Sequence, residues 1–151
     1  MADINVRVTI KDGDLANRIR KFGLSILDLS ESMDQIGDYL DAFFANEVFA
    51  SRGRVIGEPW AALNARYAAY KAKKWPGRPP LVRTGLMQRG FRHKSTALTT
   101  SLYNEASYFD IHQDGDGLPQ RMMMKVDETR ARKVAQFIAD DIKGKMGKAG
   151  V

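Results

Sequence analysis

The sequence predicts an α+β fold: a small antiparallel sheet packed with a long helix in the N-terminal half, a second helix and a C-terminal helix. Two periodicities predict it. Leu29, Met33, Ile36, Leu40, Phe43, Phe44 and Val48 recur at spacings of three and four, which lines one face of a helix. Residues 4–10 and 98–103 alternate apolar and polar side chains, which marks half-buried strands. No internal repeat and no break in composition divides the chain. Residues 1–143 therefore read as one domain, and 144–151 as a flexible basic tail.

Each element has its own signal. Ile4-Asn-Val-Arg-Val-Thr-Ile10 is rich in β-branched residues and reads as a strand; Lys11-Asp-Gly-Asp14 is a turn. Leu15, Ile19 and Phe22 predict a short helix over 15–22. The long helix runs from about 26 to 51, with Ser25 or Ser30 to cap it and Gly37 as a weak point inside it. Residues 52–59 are a loop. Trp60 opens the second helix, over roughly 61–74, with Leu63, Tyr67 and Tyr70 on its buried face. Lys71, Lys73 and Lys74 stand at its C-terminus, where the helix dipole favours cations.

Three prolines and a glycine in Trp75-Pro-Gly-Arg-Pro-Pro80 forbid helix and stiffen a basic loop. Residues 81–88 form a short turn or helix that bends at Gly85. Residues 90–94 and 98–103 make a hairpin around Thr96-Ala97, with Leu98, Thr100 and Leu102 on one face and Thr99, Ser101 and Tyr103 on the other. A helical turn over 106–113 leads into the loop Asp114–Pro119. Residues 122–126 read as a further strand. Asp127 caps the last helix, 128–143, with Ala131, Val134, Phe137, Ile138 and Ile142 inward.

Composition narrows the chemistry. The chain has no cysteine, which excludes disulfides, thiolate metal sites and a cysteine nucleophile, and suits a reducing cytoplasm. The N-terminus lacks the pattern of a signal peptide, and no apolar run is long enough to span a bilayer. The net charge is +6, but residues 52–94 alone carry +10, with eleven basic residues and Glu58 as the single acid. Such a block predicts an electropositive surface for an acidic partner, protein or nucleic acid. Arg52, Arg54, Lys71, Lys73, Lys74, Trp75, Arg78 and Arg83 are its candidate interface residues. Met122-Met123-Met124 joins them: adjacent methionines on a strand point to alternate faces, and flexible methionine suits adaptable interfaces as well as cores.

Reactive groups are not assembled in any known pattern. His112 with Asp110, Asp114 and Asp116 is the one cluster with ligand chemistry. It lacks the terminal glutamate of a calcium loop and the further His or Cys of a zinc site, and Asp114-Gly-Asp-Gly117 is good turn chemistry. There is no Gly-x-Ser-x-Gly and no phosphate-binding loop. The pairs Asp140-Asp141 and Glu31-Asp34 belong to solvated helix faces. The expectation is no enzyme, no metal and no cofactor. Basic residues interleaved with Tyr67, Tyr70, Trp75 and Phe91 keep nonspecific nucleic-acid contact open.

An ordered set of short patterns resembles the virion morphogenesis family of tailed bacteriophages, the tail-completion or neck proteins of Mu-like phages. It comprises Trp60-x-x-Leu63-x-x-x-Tyr67, Leu81-Val-Arg-Thr84-Gly85-Leu86, Tyr108–Gly115 with His112-Gln113, and Pro119-x-Arg121 before an apolar segment and a final helix. The resemblance spans roughly residues 30–143. It implies a structural protein in a homo-oligomeric ring, most simply a hexamer, at the junction of head and tail. Such a ring meets tail terminator or tube proteins and the head–tail connector, in the virion and during assembly in the host cytoplasm. By position, Thr84-Gly85 sets the angle between basic loop and sheet, His112 and Gln113 end a short helix, and Pro119 with Arg121 fixes entry into the next strand. Met122–Met124 departs from the Pro-Phe-Leu-type continuation of that family. The alternative is a nonspecific basic DNA-binding protein.

Overall fold

The computed structural model describes residues 4–7 and 27–148. The predicted turn 11–14, the helix 15–22, the end of the first strand, Ser25 and residues 149–151 lie outside them. The architecture is α+β, with an antiparallel sheet, a helix in the N-terminal half and a long C-terminal helix. In chain order the elements are β1 (Ile4–Arg7), α1 (Ser30–Phe43), α2 (Ala65–Lys74), α3 (Leu86–Arg89), β2 (Phe91–Ser95), β3 (Thr99–Asn104), α4 (Phe109–Asp114) and α5 (Glu128–Lys148). No helix among the described residues is long and apolar enough to cross a membrane.

The residues fall into two compact units, each built from separate stretches. One takes 41–92 and 103–125; the other takes 4–7, 27–40, 93–102 and 126–148. Helix α1 and strands β2 and β3 contribute residues to both.

The second unit contains β1, most of β2 and β3, and α5. Strand order is β1-β3-β2, and β1 pairs antiparallel with β3 in the register Ile4↔Leu102 to Arg7↔Thr99. Burial in β3 alternates as expected, with Thr100 and Leu102 inside. The hairpin closes through Thr96 N–H to the Thr99 carbonyl, 2.8 Å. Leu29, Met33, Ile36 and Leu40 of the predicted helical face are all buried. The helix starts at Ser30, whose amide donates to the Asp28 carboxylate (3.0 Å), so among the described residues the cap comes from Asp28 rather than from Ser30. The serine hydroxyl bonds the same carboxylate, and these bonds hold the Asp28 carboxyl below its usual pKa. Gly37 has a packing reason: a Cβ there would lie 2.2 Å from the His93 ring, so the missing side chain makes room for histidine. His93 Nε2 then meets Asp34 Oδ1 at 2.9 Å. In α5, Val134, Ile138 and Ile142 are buried, Phe137 packs against Tyr39 (centroids 5.6 Å apart), and Ala131 is exposed. The helix runs to Lys148, so residues 144–148 are helical rather than a frayed tail.

The first unit is built around aromatic rings. Phe91 touches Phe44, Phe49 and Phe109 with centroids 5.8, 6.2 and 5.8 Å away, and Trp60 stands edge-on to Phe49 at 5.1 Å. Phe91 is therefore a core ring and is withdrawn from any role in stacking bases. The backbone after α1 widens into one π-helical turn, Phe44–Val48, before a final α-turn, Phe49–Ser51. This brings both Phe43-Phe44 and Val48-Phe49 inside. The end is a Schellman motif: Gly53 N–H reaches the Val48 carbonyl (2.9 Å) and Arg52 N–H the Phe49 carbonyl (3.2 Å), with Arg52 left-handed at φ 52.

Candidate binding cavity and basic segment

The motif residues of the first unit are spent on holding irregular backbone. The segment 122–126 is not a strand. One side chain satisfies three of its backbone groups: Gln113 Oε1 accepts from Met123 N–H (2.8 Å) and Met124 N–H (3.0 Å), and Gln113 Nε2 donates to the Met124 carbonyl (2.8 Å). Trp60 Nε1 donates to the Met122 carbonyl at 2.7 Å. Met123 and Met124 are thereby buried as core, and only Met122 is half-exposed, so two of the three proposed interface methionines face inward.

Arg121 is buried and ties down a second irregular stretch. Its Nε donates to the Ala61 carbonyl (2.8 Å) and its Nη2 to the Ala62 carbonyl (3.0 Å). Residues 61–64 are consequently not helical, and α2 begins only at Ala65, capped by Asn64 Oδ1, which accepts from Tyr67 N–H (2.8 Å). Tyr67 and Tyr70 are exposed, not core. Gly115, left-handed at φ 76, ends α4; a Cβ there would press on Gln120 at 2.8 Å. Pro119 is exposed between that turn and Arg121. Gly85, left-handed at φ 82, opens α3, and Thr84 Oγ1 accepts from Leu86 N–H at 3.3 Å.

The basic segment divides in two. Arg52, Arg54, Lys73, Lys74, Arg78 and Arg83 are exposed, and Arg83 lies over the Trp75 ring at 5.4 Å. The loop is stiffened by two turns, Arg78 N–H to the Trp75 carbonyl (3.3 Å) and Val82 N–H to the Pro79 carbonyl (3.1 Å), and by Leu81 held left-handed at φ 62. Lys71 departs from the expected surface. It is 4 % exposed, and its ammonium donates to the Pro79 carbonyl. It is the one buried residue of α2.

Lys71 belongs to the lining of a half-open cavity of about 560 Å³ within the first unit. Arg121, Arg83 and His112 also line it, with Tyr67, Leu86 and Leu118 among its exposed apolar residues. None of the lining residues is acidic. Burial, and then the Arg121 charge, push the Lys71 ammonium below its usual pKa. The same two causes lower that of His112, whose Nδ1 is buried without a hydrogen-bond partner. Among the described residues, no three His, Cys, Asp or Glu side chains gather as a metal site.

Sequence reasoning found His112 and Arg121 but missed Gln113 as a backbone clamp, Lys71 as a buried group, and the cavity. Compared with family models, curated proteins and solved structures, the chain matches none of them.

Proposed function

We propose that the chain is a structural component of a tailed-phage virion, a tail-completion or neck protein that forms a ring joining the tail to the capsid connector. The observation that carries the reading is where the motif residues spend their polar atoms. Trp60, Gln113 and Arg121 bind backbone carbonyls and amides, and Thr84, Gly85 and Gly115 shape turns. Side chains used this way build rigid shape, which is what a ring subunit needs for contacts that close by rotation. The stiff loop 75–83 offers exposed cations that lose little entropy on docking to an acidic neighbour. In this reading the protein acts without turnover and without a cofactor.

The test is assembly with Lys73→Glu, Lys74→Glu and Arg78→Glu combined. These side chains are exposed, so the subunit folds, and heads and tails are expected to accumulate unjoined in electron micrographs. Normal yields of joined particles sink the reading.

One observation favours a second reading, nonspecific DNA binding. Tyr67 and Tyr70 are 42 % and 50 % exposed on the helix that carries Lys73 and Lys74, the mixture that stacks bases and neutralises phosphates. A DNA binder loses duplex affinity steeply with salt. A neck protein shows only weak duplex association at physiological salt.

A further inference from the structure

The cavity of the first unit poses an electrostatic problem that the described residues do not solve. Lys71 and Arg121 are 4 % and 5 % exposed, carry like charges, and line the same space. Burying an ammonium is costly unless it is paired. Yet among the described residues these groups meet only neutral carbonyls: Pro79 for Lys71, Ala61 and Ala62 for Arg121. An ammonium has three donors and a guanidinium five, so both retain capacity beyond these bonds. Arg83 adds a third cation to the lining, and no acid offsets them. The unpartnered Nδ1 of His112 is a further polar atom left over.

The rest of the lining says what else the occupant carries. Leu63, Leu81, Leu86, Met87 and Leu118 supply an apolar wall. Leu86, Leu118 and Tyr67 are 52, 47 and 42 % exposed, so apolar surface continues to the open side of the cavity. A ligand enclosed in about 560 Å³ fits the range of small-molecule sites, but leaves such a margin wet. A polypeptide laid across the opening covers it. Leu81 held left-handed on this wall stores strain, which persists where the surrounding structure imposes it and collects at binding sites.

We propose that this cavity docks a segment of a partner protein that inserts an acidic side chain between apolar neighbours. The carboxylate pairs with Lys71 and Arg121 in a desolvated site, where charge-assisted hydrogen bonds are strong. The flanking apolar side chains cover Leu86, Leu118 and Tyr67. The inference stands on the cavity alone and holds whether or not the chain belongs to a virion.

The experiment uses the full chain and an array of blocked pentapeptides, Ala-Φ-Glu-Φ-Ala, with Φ running through the aliphatic and aromatic residues, beside the same array with Gln for Glu. At least one Glu peptide is expected to bind ten-fold or more tightly than its Gln twin and to shift the His112 and Tyr108 ring signals in NMR spectra. Lys71→Met is expected to abolish that preference. Should Lys71→Met disturb the fold, the exposed Arg83→Gln and Leu86→Asp leave the cavity intact and are expected to weaken the same peptide several-fold. Equal binding of Glu and Gln peptides overturns the proposal, as does an array silent throughout. So does binding of 4-phenylbutyrate or inorganic phosphate where no Glu peptide binds, since that marks a small-molecule or phosphate site.

Discussion

The two units solve the same problem, satisfying backbone polar groups, in different ways. The second does it with repeating structure: the β1–β3 ladder, the hairpin and the long α5. Its side-chain pairs sit largely on top of that framework, such as Arg132 with Glu128 and Gln136 with Asp140 on exposed turns of α5. The first unit has long stretches with neither helix nor strand, at 57–64, 75–85 and 115–125. There a few buried side chains stand in for ladder partners: Gln113 for 123–124, Arg121 for 61–62, Asn104 for Met87. A ladder spreads its support over many residues. A clamp concentrates it in one, so the units should differ sharply in how much a single polar substitution costs.

The largest effect is expected at Gln113. Gln113→Leu keeps the volume but leaves two amides and one carbonyl of 123–124 without partners in a buried place. Each such group costs about 1–3 kcal/mol, so a loss of about 4 kcal/mol is expected after some water enters. Both tryptophans, Trp60 and Trp75, lie in the first unit, so urea unfolding followed by fluorescence reports on it directly. A loss under about 1 kcal/mol would mean that 122–126 has other support, and the contrast between clamp and ladder would fail.

Packing, rather than polarity, sets the next effect, and it lies in the second unit. Gly37→Ala drives a methyl group into the His93 ring, and overpacking of this kind costs about 2 kcal/mol. His93→Ala opens the space, so Gly37→Ala added to it should cost about 1 kcal/mol less than on its own. Amide exchange along α1 reads the cost within the unit concerned. Additive effects would show that the ring has other places to go.

The same contrast explains what was legible in the sequence. Elements stabilised by periodic burial were visible: the face Leu29–Val48, the alternation in β3, and Val134, Ile138 and Ile142. Their period is a local property of the chain. Clamps are not local. Gln113 acts on its own loop ten residues away, and Arg121 acts across 59 and 60 residues, through groups that carry no hydrophobic signal. Residues 122–126 read as a strand because a short apolar run looks the same whether its amides meet a strand or a glutamine. Helix α2 was read four residues too long for a related reason. Ala61 and Ala62 favour helix, but their carbonyls are engaged by Arg121, and Asn64 then supplies a better start. Lys71 was placed on the surface because lysines usually are; only its position over the cavity turns it inward.

A smaller effect belongs to a buried polar contact of the second unit. Ser32 is buried, and its hydroxyl donates to Asp141 Oδ2 at 2.5 Å. Ser32→Ala removes a bond to a charged acceptor, worth about 1.5 kcal/mol. Asp141 keeps Lys145 at 3.3 Å, so the carboxylate is not stranded. Thermal unfolding of the variant should therefore fall only a few degrees, well short of Gln113→Leu.

The smallest effect is a slope with pH, and it tests whether the first unit leaves a polar group without a clamp. Burial, and then Arg121, lower the His112 pKa below the ordinary 6.5. In the unfolded chain the ring protonates near that ordinary value, so on acidification the unfolded state takes up the proton first. Stability from this residue is therefore intact above about 6.5, begins to fall below it, and is fully lost once the pH drops below the depressed value of the folded state. The ring is partly exposed, so the fall is shallow. His112→Gln should remove it, giving a flatter stability profile from pH 7 to 5 by tryptophan fluorescence. A carboxylate bound beside Lys71 and Arg121 would raise the His112 pKa by offsetting the Arg121 charge. The His112 ring signals should then titrate at higher pH in the presence of a binding Glu peptide than in its absence. An unchanged titration would place the peptide elsewhere, while leaving the apo profile, which depends on burial and Arg121 alone, as it stands.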